Sequence, residues 1–326
     1  MLLKDFVNHY PTEESCRLDW KSKREKAGIA CRKCKNVHHY WCKSIEKWQC
    51  KQCGYQTSLK SGTVMEHSNL PIGKWYLCIH LMSATKKGFS ALEMQRQLGH
   101  PSYQPVWEMM HKIRRAMGSR DDRYKLKGGI ELDDAFFEQV ITDEAVKEEV
   151  ERDGLKRGKG SQKQAKVVAM IGSKKVEEGQ RKKGRKAKKC NYLKMKVVDD
   201  LKSGTVNGVV EKTVDANGEV DSDSAKGFGG IGELVGKHTA HNLSLPGVKV
   251  EKVLPWVHTA IGNAKRNLLD VYHMVSDRYV QQYLNEFCYR FNRRWYEGRV
   301  FDRLMVACLD YDPENGDISE ITVNTG

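Results

Sequence analysis

The chain has 326 residues, enough for two or three domains with at least one sizeable core. Its 56 Lys and Arg against 42 Asp and Glu leave a formal charge of +14, a balance that favours a polyanionic partner, most often nucleic acid. No apolar run approaches the roughly 18 residues of a membrane helix, and the start at Met1 to Asp5 lacks a signal-peptide core, so a cytoplasmic protein with no membrane partner is expected.

Residues 1–27 read as a polar, charged lead-in with some helical character. Residues 28–60 carry two Cys-x-x-Cys pairs, Cys31/Cys34 and Cys50/Cys53, separated by fifteen residues. In a reducing compartment such pairs indicate metal and not disulfide. Each pair turns the backbone so that both sulfurs face one ion, and four thiolates fill a tetrahedral shell. The expectation is a structural Zn²⁺ in a small ribbon whose folding energy comes from the metal. The other six cysteines, Cys16, Cys42, Cys78, Cys190, Cys288 and Cys308, show no paired spacing and read as small hydrophobes.

Residues 61–125 read as a DNA-binding region. After a loop with Gly62, Pro71 and Gly73, a helical pattern starts at Trp75. Ser90 followed by Glu93 has the spacing of a helix cap, and Gly99 ends that short helix. A second helix over 103–117 sets apolar Val106, Met109, Met110, Ile113 and Met117 against basic Lys112, Arg114 and Arg115. Short helix, tight turn and basic helix outline a helix-turn-helix, with Gln104, Lys112, Arg114 and Arg115 as the expected DNA contacts.

Residues 126–305 read as an α/β domain. Strands are expected at 130–137, 164–171, 191–198 and 219–223, with helices around 204–213 and from Pro255 to Arg294. A basic loop, 151–190, holds fifteen Lys or Arg against four Asp or Glu. Its run of Arg181, Lys182, Lys183, Arg185 and Lys186 is expected to grip phosphate. Arg290 to Arg294 read as a basic helix end whose aromatic neighbours pack on the core. Residues 306–326 read as a tail.

Asp133 lies inside an apolar strand, with Glu131 on the same face by period-two alternation. A carboxylate there is costly to bury unless it meets a metal or a base. Asp223 sits at another strand end. Carboxylates converging from two strands suit two-metal phosphoryl transfer. His241, His258 and His273 read as structural histidines.

Three segments carry a resemblance. Ile130-Glu131-Leu132-Asp133-Asp134-Ala135-Phe136 resembles the first-aspartate strand of the insertion-sequence transposases of the ISXO type. Ser222-Asp223-Ser224-Ala225-Lys226-Gly227-Phe228 is similar to their second-aspartate segment, with Ser224 and Phe228 where Gly and Tyr are usual. Asn263-Ala264-Lys265-Arg266, Tyr272-His273 and the stretch from Tyr283 to Arg294 resemble their C-terminal block. The resemblance implies an RNase H-like core of the Asp-Asp-Glu type behind the zinc ribbon and helix-turn-helix. It implies Asp133 and Asp223 as ligands of two Mg²⁺ or Mn²⁺ ions, Asn263 in the third position and Lys265 at the DNA near the cut. The implied partners are double-stranded transposon ends and target DNA, bound by a homodimer or higher oligomer. The competing expectation is a non-catalytic DNA-binding regulator derived from a transposase.

Overall fold

The computed structural model describes residues 1–85, 87–176, 188–243, 245, 253–296 and 298–313. It divides into two compact units, Met1–Arg120 with Tyr296–Gly326, and Asp121–Trp295. Among the described residues no helix is long and apolar enough to cross a membrane.

The first unit opens with helices α1 (Leu3–His9) and α2 (Glu13–Ala27). Thr12 caps α2 by accepting the Ser15 amide, and Ser15 reciprocates. Three short antiparallel strands follow, β1 (His39–Cys42), β2 (Lys47–Cys50) and β3 (Gln56–Ser58), in the order β1-β2-β3. Trp20 of α2 is fully buried and donates to the Leu59 carbonyl at 2.8 Å, fixing the helix beside the small sheet. Helix α3 (Ile72–Ala84) begins after Pro71, where no side chain of its own start is a cap. The Glu13 carboxylate supplies one, accepting from the Ile72 and Gly73 amides at 2.9 and 2.6 Å. Helix α4 (Ala91–Gln97) is capped by Ser90, and Gly99 takes φ +54° in the turn that leads to α5 (Tyr103–Asp122).

The second unit is a five-stranded mixed sheet, ordered β6-β5-β4-β7-β8. In chain order its elements are β4 (Gly129–Glu138), α6 (Glu144–Asp153), β5 (Gln164–Lys175), β6 (Lys188–Val198), α7 (Ser203–Thr213), β7 (Glu219–Asp223), β8 (Lys237–His241), α8 (Val257–Tyr272) and α9 (Val280–Asn292). β4, β5 and β6 are antiparallel neighbours, whereas β7 and β8 continue the sheet parallel to β4. Alternation sorts the strand side chains between two cores. Ile130, Leu132, Val168 and Met170 pack with Val206 and Val210 of α7. Ala135, Phe137, Val167, Ala169 and Ile171 pack with Ala260, Ala264, Leu284 and Cys288 of α8 and α9. Glu131 and Asp133 therefore lie on the α8/α9 side of the sheet.

The last helix, α10 (Val300–Leu309), belongs to the first unit. Its apolar residues Phe301, Leu304, Met305 and Cys308 are buried, and the Cys308 carbonyl accepts the Val64 amide at 3.1 Å. The basic residues Arg181, Lys182, Lys183, Arg185 and Lys186 lie outside the described residues.

Candidate metal centres and catalytic face

The four expected zinc ligands converge. Cys31 and Cys53 sulfurs stand 3.5 Å apart, as do those of Cys34 and Cys50, and all four ligand atoms fall within 4.8 Å of one another. A zinc ion with bonds near 2.3 Å separates its sulfurs by roughly 3.8 Å, so the cradle fits. Two tight turns build it. The Lys35 amide donates to the Cys31 carbonyl with Lys35 at φ +59°, and the Gly54 amide donates to the Cys50 carbonyl with Gly54 at φ +73°. Burial opposes ionisation of the Cys50 thiol, but the amides of Cys53 and Gln52 and the neighbouring thiols outweigh it and bring the group down to about 6. Cys42 is outside the cluster, and the remaining five cysteines are buried. The first unit is compatible with a zinc ribbon.

The second centre is acidic. Parallel pairing sets Glu131 opposite Asp221 and Leu132 opposite Ser222, and Asp133 and Asp223 are the next residues of the two neighbouring strands. The four carboxylates share the α8/α9 face, while Asp134 turns to the opposite one. They differ in what they meet. Glu131 is fully buried, and one of its oxygens accepts the Trp256 and Val257 amides at 2.7 and 3.0 Å. Asp221 bonds His241 Nε2 and Lys188 Nζ at 3.0 Å each. Burial alone raises the Asp221 carboxyl, but those two bonds hold it below the usual carboxylate range.

Asp133 and Asp223 stand two residues further along the same strands. Asp133 is 7% exposed, and its Oδ2 lies 3.3 Å from Nδ1 of His258. Asp223 accepts the Ala225 amide at 3.1 Å, and among the described residues no cation lies at ion-pair distance from it. His258, on the first turn of α8, feels the charges of Glu131 and Asp223. Burial nonetheless pushes its imidazole below the ordinary value, which favours the neutral form that binds metal. Neighbouring ligand atoms of an octahedral ion with bonds near 2.1 Å stand about 3 Å apart, so the Asp133–His258 separation suits a shared ion. Among the described residues only the four cysteines bring three or more ligand atoms within 4.8 Å, so the acidic centre is the more open of the two.

These residues fall within a segment that matches known proteins. Residues 125–292, just over half of the chain, match the family model of the ISXO2-like transposase domain. The chain belongs to the ISXO2-like transposases. An uncharacterized protein in transposable element ISH50 of Halobacterium salinarum is 23% identical over 152 residues, which cover 45% of this chain and 50% of that protein. The chain thus spans about half the length of the curated relative it matches. The transposase match covers nearly all of the second unit, Asp121–Trp295.

The other expected site residues of this transposase are less concentrated. Asn263 is exposed, and its side-chain oxygen accepts from Arg266 at 2.7 Å. It lies five residues beyond His258, about 140° around the helix. His258, and not Asn263, therefore stands against Asp133. Lys265 is exposed on the same helix, its ammonium 5.9 Å from the centre of the Phe137 ring. On α5, Gln104 is exposed and bonded to Glu108. Lys112 donates to the Glu66 carbonyl at 2.6 Å, Arg115 is half-buried, and Arg114 is only 1% exposed. Val106, Met109, Ile113 and Met117 are buried alongside His111 and Arg114, so the packed surface of α5 wraps past its apolar stripe. The exposed start of the helix, with Tyr103, Gln104 and Glu108, remains open.

Proposed function

We propose that this protein is the DNA transposase of an insertion sequence, cleaving the element's ends and joining them to target DNA with a divalent metal. The observation that carries this reading is that Asp133 and the strand-end Asp223 share one face of neighbouring strands, with His258 3.3 Å from Asp133. The sheet order supports an RNase H-like core, since three antiparallel strands continue into two parallel ones and the acidic pair comes from the central β4 and its parallel neighbour. Oxygen and imidazole donors suit Mg²⁺ or Mn²⁺. A bound ion there supplies neutralisation of the phosphate charge and a more acidic water.

Asp133 and Asp223 provide the ligand oxygens. His258 takes the third position in preference to Asn263, which lies around the helix with its oxygen already engaged. Lys265, two turns beyond His258, contacts a phosphate next to the reacting one. Cleavage breaks the bond from phosphorus to the 3′-oxygen while water oxygen bonds to phosphorus, leaving a 3′-hydroxyl. In strand transfer that hydroxyl attacks a target phosphodiester and displaces its 3′-oxygen. Both steps depend on in-line positioning and charge stabilisation more than on a covalent nucleophile.

The zinc ribbon and the α4–α5 pair act as the end-reading head, a helix-turn-helix whose accessible part is the start of α5. Joining two ends requires at least a homodimer on DNA, working in the cytoplasm on the nucleoid. Labelled end DNA with Mg²⁺ tests the reading. Asp133→Asn and His258→Ala should each lower cleavage by about a hundredfold or more while end binding is kept, and Asn263→Ala should stay within about threefold. Wild-type protein that binds ends without metal-dependent cleavage would instead indicate a regulator.

A further inference from the structure

We propose that Glu131 is a positioning residue for His258, and that Lys188 holds it in place. The proposal rests on the reading of His258 as a metal donor. Helix α8 starts without a cap of its own, since Trp256 stands at the capping position and no side chain of the helix accepts its first amides. The cap comes from β4. Oε2 of Glu131 takes the amides of Trp256 and Val257 at 2.7 and 3.0 Å, the two residues immediately before His258. A carboxylate at this end of a helix complements its dipole, and the paired bonds fix how the first turn is rotated.

The other carboxylate oxygen, which has no hydrogen bond, lies 3.8 Å from Nζ of Lys188. That ammonium also meets Asp221 at 3.0 Å and the Val253 carbonyl at 3.3 Å. Lys188 is tied to α8 a second time, because its own carbonyl accepts from Nε1 of Trp256 at 2.7 Å. A fully buried carboxylate is costly unless its oxygens are met, and here the helix start meets one oxygen while the Lys188 ammonium stands near the other. Glu131 and Asp133 therefore divide the work of one strand face. The first aims the helix, and the second meets the histidine that the helix delivers.

Electron spin-echo spectroscopy of Mn²⁺ bound to the full-length protein tests this. Wild-type protein should show nitrogen coupling from an imidazole, and His258→Gln should lose it. Glu131→Ala should lose the coupling and weaken Mn²⁺ binding by about tenfold or more, the usual scale for an outer partner of a ligand. Glu131→Asp, which keeps the charge but is one methylene too short to hold the amides, should behave the same way and covers the case in which the alanine variant does not fold. Glu131→Gln combined with Lys188→Met restores an acceptor for the two amides and removes the unmatched ammonium, and it should recover the coupling. If wild-type protein shows the coupling and the alanine and aspartate variants retain it, the positioning role is overturned while the metal centre stands. If the wild-type protein shows no nitrogen coupling, His258 is not a donor and both readings of it fall.

Discussion

Asp221 and Asp223 lie two residues apart on β7 and face the same side, yet Asp221 receives His241 and Lys188 while Asp223 receives a backbone amide. Glu131 and Asp133 repeat the contrast on β4. In each pair the earlier residue, Glu131 or Asp221, is tied to Lys188, whereas Asp133 meets His258 and the strand-end Asp223 meets a backbone amide. The cysteines need no such sorting, because all four point inward. Their role predicts that Cys34→Ser protein carries less than one zinc per chain and loses the ordered tryptophan signal of the ribbon, where Trp41 and Trp48 meet edge-to-face at 4.8 Å. Structural zinc binding of about 10–16 kcal/mol is far more than so small a sheet could replace. Zinc analysis with near-ultraviolet circular dichroism checks this, and a native tryptophan signal without zinc would refute it. The cysteine pairs and the strand that buries Asp133 were legible in the sequence because their signals are local, a spacing in one case and a charge inside an apolar strand in the other. His258 was not. Its direction depends on the rotation of α8, which is set by a carboxylate more than a hundred residues upstream.

At the scale of elements, the outer edge of β6 shows what the C-terminal block contributes. β6 ends the sheet, and its outward amides and carbonyls would invite pairing with another chain. Two side-chain amides of α9 occupy them. Gln281 accepts the Val197 amide at 2.7 Å and donates to the Met195 carbonyl at 3.0 Å. Asn292 accepts the Leu193 amide at 2.7 Å and donates to the carbonyl of the same residue at 3.0 Å. Asn292 also reaches Asp121 at 2.8 Å, and Arg293 pairs with Asp121 at 2.7 Å, so the expected basic helix end is in part an internal stitch. Asn292→Leu should cost about 2–4 kcal/mol, because it strands a buried amide, a carbonyl and part of Asp121, and Gln281→Leu should cost about 1–3 kcal/mol. Urea unfolding measures both, and light scattering should show association through the bared edge. A loss below about 0.5 kcal/mol for Asn292→Leu would mean that water replaces the amide without penalty. Strands β4 to β7 were legible because apolar alternation marks them. Helix α6 and strand β8 were not, since α6 buries no residue and has only Val146 and Val150 as an apolar pair, and β8 is short and mostly polar.

At the scale of the whole molecule the charge is localised. Residues 151–190 hold fifteen basic and four acidic residues, eleven of the net fourteen positive charges, so the rest of the chain is close to balance. Nonspecific attraction to DNA should therefore concentrate in that segment instead of spreading over the surface. Each phosphate neutralised by a basic side chain releases condensed counterions, and the logarithm of affinity falls with the logarithm of salt by about 0.9 per contact. Replacing Arg181, Lys182, Lys183, Arg185 and Lys186 together by Gln should reduce that slope by up to about 4.5 if all five contact phosphate. The preference for end sequence over random duplex should change little, because phosphate contacts carry no direct sequence information. Binding isotherms on both duplexes between 50 and 200 mM salt, a range over which six to ten contacts cost roughly 10³- to 10⁵-fold in affinity, would resolve the two effects. An unchanged slope would place the phosphate contacts on basic residues other than these five. A reduced slope with a lost end preference would instead mean that the basic segment helps to read sequence.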